Sequence, residues 1–163
     1  MKKFILTLLA MTYIGIVSAT ENITLTTGIS INDVPKTLYG SWRVVAKLDD
    51  TNSYSTFKPQ STDMWTLTRI GDTIKLSNPF TGANAEITVR TVEGNLVVFS
   101  KKTPYDNKVL TDTVSIRLDK NKFSGINTLI LEQYSNIDGH VIKTQNARYI
   151  IEGEKIAGES IVE

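Results

Sequence analysis

The stretch KVLTDTVSIRLDKNKFSGINTLILEQY, residues 108–134, decides the fold. From Lys108 to Leu118 apolar and polar residues alternate, which places Leu110, Val114, Ile116 and Leu118 on one face of a strand. Asp119-Lys120-Asn121 then turns the chain into a second run, Lys122 to Tyr134. Asp138-Gly139, a pair that tolerates positive φ and so favours a tight hairpin, leads to a third, His140 to Ile151.

The pattern repeats upstream. Ser41 to Leu48 sets Trp42, Val44, Ala46 and Leu48 on one face. Asp63 to Ile70, Thr73 to Ser77, Ala85 to Val92 and Leu96 to Lys101 follow, with turns at Gly71-Asp72 and Glu93-Gly94-Asn95. Glu152-Gly153-Glu154 reads as a last turn before a short run from Lys155 to Val162. Nine strands result, joined by short connections, and short connections impose antiparallel neighbours because parallel pairs need long crossovers. No stretch beyond residue 19 holds a 3.6-residue period for three turns; Asp33 to Tyr39, with Pro35 near its start, allows one helical turn. The reading is an all-β, antiparallel, up-and-down barrel of eight or nine strands, since closure removes the edges an open sheet would leave. A two-sheet sandwich is the alternative.

The first residues read as an export signal. Lys2 and Lys3 precede a run of 14 residues, Phe4 to Val17, that is mostly apolar, and Val17-Ser18-Ala19 offers small residues for cleavage. That run is shorter than the roughly 20 residues a membrane-crossing helix needs, and no second long apolar stretch follows, so no transmembrane segment is expected after cleavage. The expected organisation is a signal peptide over residues 1–19 and one domain over 20–163, with a short extension, 20–39, ahead of the barrel. The expected location is outside the cytoplasm, periplasmic or extracellular.

The chain has no cysteine, which excludes lipoprotein acylation, thiolate metal sites and cysteine nucleophiles. Without Lys2 and Lys3 the 18 basic residues fall to 16, against 17 acidic ones, and the charges are interspersed. Nothing concentrates phosphates, so nucleic acid is not an expected partner. His140 is the sole histidine and sits beside a hairpin turn, where it reads as solvated. Asp49-Asp50-Thr51-Asn52 is similar to the start of a calcium loop. Counted from Asp50, however, Ser55 and Ser61 stand where that loop needs glycine and glutamate, so it reads as a polar loop. No metal, cofactor or catalytic constellation is expected, and the chain reads as a binding protein rather than an enzyme.

Gly40-Ser41-Trp42, opening the first strand after the short turn, resembles the Gly-x-Trp start of the lipocalins and their calycin relatives. The likeness in strand order runs over most of residues 33–163. It implies a barrel closed at one end by Trp42, with an arginine from a late strand packed against that ring, for which Arg148 is the counterpart. Two features of lipocalins have no match here: the helix between their eighth and ninth strands, and their Thr-Asp-x-Tyr motif at the Asp119 turn. The resemblance therefore carries the barrel and the structural role of Trp42, and no ligand.

Up-and-down topology sends alternate connections to opposite ends. The turns at residues 71–72, 93–94, 119–121 and 152–154 share one end and contain no aromatic residue. The segments 49–61, 78–84, 102–107 and 136–139 share the other and carry Tyr54, Phe57, Phe80, Tyr105 and Ile137. Large rings bury much area at low entropic cost, so this end is the candidate mouth, with Trp65 at the start of the second strand lining it or joining the core. Lys143 and Gln145 are candidate polar residues of the interior. The expected ligand-binding residues are Tyr54, Phe57, Trp65, Phe80 and Tyr105, and the expected partner is a small hydrophobic or amphipathic molecule. The alternative is a protein partner, with the segment Thr20 to Asp33 inserted into its cleft in the manner of calycin-type protease inhibitors.

Overall fold

The computed structural model describes residues 29–158 and the backbone of 161–162. The signal segment and residues 20–28 lie outside the described residues. Nine strands follow one another: β1 Gly40–Thr51, β2 Gln60–Ile70, β3 Thr73–Ser77, β4 Asn84–Glu93, β5 Leu96–Tyr105, β6 Lys108–Asp119, β7 Lys122–Tyr134, β8 Val141–Ala157 and β9 Ile161–Val162. The first eight form a closed antiparallel up-and-down barrel in which β1 pairs with both β2 and β8. The sandwich alternative is thereby excluded.

The inward rows are those the alternation marks. Trp42 faces Trp65 across β1 and β2, Val89 faces Phe99, and Phe99 faces Val114. Trp42, Leu67, Val89, Val97, Ile116 and Ile151 are fully shielded from solvent. At the centre Phe123 stacks on Trp65, ring centroids 5.9 Å apart, and tilts against Trp42 at 5.1 Å. The edge of Phe99 meets Trp65 at 6.4 Å. Such ring pairs add about 0.5–1.5 kcal/mol each beyond the area they bury.

The helical turn expected before β1 is two 3-10 turns, Ile31–Asp33 and Lys36–Leu38, with Pro35 capping the second. They lie across the closed end of the barrel. Ile31, Val34, Leu38 and Tyr39 are buried there, and the Trp42 indole donates to the Leu38 carbonyl at 2.9 Å. Arg69 Nη2 donates to Asn32 Oδ1 at 3.0 Å, and Lys155 Nζ donates to the carbonyls of Thr37 and Tyr39. The described part of the N-terminal extension is thus docked on the barrel.

Three expectations need correction. Glu152-Gly153-Glu154 is not a turn. β8 runs straight through it, paired on one side with Val44 and on the other with Phe123 at Gly153. The glycine is needed for space, because a Cβ at 153 would lie 2.7 Å from Phe123 Cδ1 and closer still to Cε1 and Cζ. Consequently Lys155 belongs to β8, and what remains of the last run is β9, pairing in parallel with Arg69 and Ile70 of β2. Finally, residues 102–105 extend β5, leaving only Asp106 and Asn107 as the turn, with φ of 49° at Asp106.

Candidate functional site

The connections 52–59, 78–83, 106–107 and 135–140 all sit at the end of the barrel opposite the 3-10 turns. Just beneath them lies a recess of about 250 Å³ that opens to solvent. Its walls are the inward residues Ala46, Ser61, Asn127, Leu129 and Tyr149, and its roof is Phe57 with its neighbours Thr56 and Lys58. The barrel opens here because inward side chains change character: large rings below, small or polar groups above.

The roof is held in place. Asn52 donates through Nδ2 to the Thr144 carbonyl and accepts from the Asn146 backbone N–H. Gln145 Nε2 donates to Ser53 Oγ at 2.5 Å and to Thr56 Oγ1 at 2.6 Å. Tyr149 donates its hydroxyl proton to the Lys58 carbonyl at 2.9 Å. Segment 52–59 is therefore laced to β8, and Phe57 turns down over the cavity with only 8% of its surface exposed.

Beside the cavity a polar group is built into the wall. Lys101 and Asp112 face each other across β5 and β6, Nζ to Oδ2 3.5 Å. Asn127 Nδ2 donates to Asp112 Oδ1 at 2.5 Å and to the Thr113 carbonyl at 3.2 Å. On the opposite wall Asp63 accepts from Asn78 Nδ2 and, at 3.3 Å, from the Trp65 indole. Burial holds the Asp112 carboxyl above its ordinary value of 3.8, against the pull of Lys101 and of the Asn127 amide. The folded chain thus binds that proton more tightly than the unfolded chain does. Its contribution to stability is complete below pH 3.8 and is lost as pH rises through the raised folded value. In denaturant melts at a series of pH values, Asp112→Asn is expected to gain on the wild type as pH rises from 3.5 to 7. A difference that moves the other way would contradict this reading of the pair.

Of the five residues expected at the mouth, Phe57 is the one that lines the cavity. Tyr54, Phe80 and Tyr105 sit on the same rim but face outward, Tyr54 77% and Phe80 78% exposed, as does Ile137. Trp65 lies below, in the aromatic core. Gln145 serves the interior by anchoring the roof, whereas Lys143, opposite Gln133, is exposed. Trp42 is buried against the 3-10 turns, its indole donating to the Leu38 carbonyl. Arg148 does not pack on it; its side chain faces outward, Nε 3.5 Å from Asp49 Oδ2, and Lys155 lies over the Trp42 ring instead, 4.8 Å from its centroid. Arg148 falls one residue off the inward row carrying Ala147 and Tyr149, which is why it cannot reach. His140 is exposed, its Nδ1 2.5 Å from Asp138 Oδ1.

Asn127, Asp112, Lys101, Leu129 and Tyr149 went unnoticed in the sequence. The signal was a gap: Asp112 interrupts the row Leu110, Val114, Ile116, Leu118, and Asn127 sits opposite Val114. A larger depression, about 490 Å³, lies on the outer wall among Arg43, Arg117, Lys122, Glu152 and Glu154. Arg43 and Glu154 pair there at 2.5 Å with more than half of each side chain exposed, so that pair adds little to stability.

An eight-stranded closed barrel with one capped end and one cavity under loops is consistent with a calycin-like fold. The chain matches no family model and no curated protein at a significant level of similarity.

Proposed function

We propose that this chain is an exported lipocalin-like binding protein that holds one small, partly apolar molecule in the cavity beneath Phe57. The observation that carries this is the combination of an open recess lined by inward-facing side chains with a covering loop laced to β8. At about 250 Å³ the space is below the range of drug-sized sites, about 300–1,000 Å³. At roughly 30 Å³ per water-sized group it takes on the order of eight non-hydrogen atoms. Leu129, Ala46 and Phe57 supply apolar contact, and Asn127 and Tyr149 supply polar contact. Tyr54, Phe80 and Tyr105 would form the approach to the mouth. Export rests on the run Phe4 to Val17 and the small residues that follow it.

The protease-inhibitor alternative has less support, because Ile31 is buried on the barrel and Arg69 holds Asn32 there, within the arm it would extend. The test is native mass spectrometry of protein purified from its source, followed by titration of the extracted molecule. Phe57→Ala is expected to weaken its binding about tenfold or more and to speed its release. Full-strength binding to Phe57→Ala, or a wild-type protein that retains nothing, would count against the proposal.

A further inference from the structure

One polar side chain of the cavity, Asn127, has its donors committed and its acceptor free, and this deepens the proposed binding role, on which it rests. Asn127 lies two residues nearer the closed end of β7 than Leu129, so it stands at the inner end of the space, whereas Tyr149, opposite it on β8, reaches with its hydroxyl to the Lys58 carbonyl of the roof. Asn127 spends its amide nitrogen on two acceptors, the Asp112 carboxylate and the Thr113 carbonyl, which fixes the orientation of the amide. Its Oδ1 has no partner among the described residues. Tyr149 has one proton, and that proton goes to the Lys58 carbonyl, so its oxygen has only lone pairs left to offer. The hydroxyls of Thr56 and Ser61 belong to exposed residues at the rim.

We infer that the inner end of the cavity is an acceptor site set by Asn127, and that it selects a small neutral molecule with an apolar body and a hydrogen-bond donor, a hydroxyl or an amide N–H, at its buried end. Donation to Asn127 Oδ1 pairs an acceptor that has no protein partner among the described residues and is left open to the space. A ligand that brings only acceptors leaves that oxygen, and its own, without partners. Asp112 and Lys101 act through Asn127: by taking its N–H groups they hold the carbonyl toward the space.

The test compares hexan-1-ol with 1-methoxypentane by calorimetric titration of the full chain. The two have the same seven heavy atoms and neither is charged, but the ether has no donor. The alcohol is expected to bind about tenfold more tightly, although the ether is the more hydrophobic of the two. In Asn127→Leu that preference is expected to vanish. Equal or tighter binding of the ether to the wild type overturns the acceptor assignment and leaves the binding role standing. If neither probe binds, the binding role falls too. The wild-type comparison decides the matter even where Asn127→Leu folds poorly.

Discussion

Trp42→Ala is expected to destabilise the protein by about 3–5 kcal/mol, the range for truncating a large buried ring. Trp42 is wholly buried and joins three parts of the molecule. It tilts against Phe123 of β7, donates to the Leu38 carbonyl of the 3-10 cap and lies under Lys155 of β8. Its removal opens a cavity at the closed end and leaves a buried carbonyl without its donor. Trp42→Phe keeps most of the packing and loses the hydrogen bond, worth about 0.5–1.5 kcal/mol. Urea melts followed by circular dichroism would measure both. A loss below 1 kcal/mol for Trp42→Ala would mean that the cap holds without its ring.

The second large effect is expected at Gly125. A Cβ there would lie 2.8 Å from Ile116 Cα and nearer still to the Ser115 carbonyl oxygen. Both are backbone atoms of β6, the strand Gly125 pairs with, so neither yields without opening the β6–β7 ladder. Gly125→Ala is therefore expected to cost about 3 kcal/mol or more, at the upper end for overpacking. At Gly153 the obstacle is the ring of Phe123, itself stacked on Trp65. Gly153→Ala is expected to cost somewhat less, because a ring can tilt where a backbone cannot. If Gly125→Ala keeps the wild-type urea midpoint, the close approach of β6 and β7 is not real.

Most strands were legible in the sequence because period-2 alternation and tight-turn residues report on backbone and burial locally. The division of loops between two ends followed from topology alone. Gly153 misled for a physical reason: a glycine between two glutamates has the composition of a turn, and its actual function, making room for Phe123, depends on a residue 30 positions away. Arg148 failed because one residue of register decides which face a side chain takes. The cavity was hidden for a third reason. Asp112 and Asn127 are unremarkable polar residues until β6 and β7 pair in register and bring their side chains within bonding distance. Among the loop rings, burial could not be read from the sequence: Phe57 is buried, while Tyr54 in the same loop and Phe80 in the next are exposed.

Closure between β1 and β8 also has a consequence in time. The strand that begins at residue 40 waits for one that begins at residue 141, about a hundred positions later, before it gains its second neighbour. Pairing so remote in sequence is slow, on the millisecond-to-second scale typical of all-β chains. Until the final long ribbon arrives, the earlier ones form a curled but unfinished surface with a raw border. A polypeptide synthesised from its amino end passes through that state each time it is made, and the ring closes only once β8 has emerged.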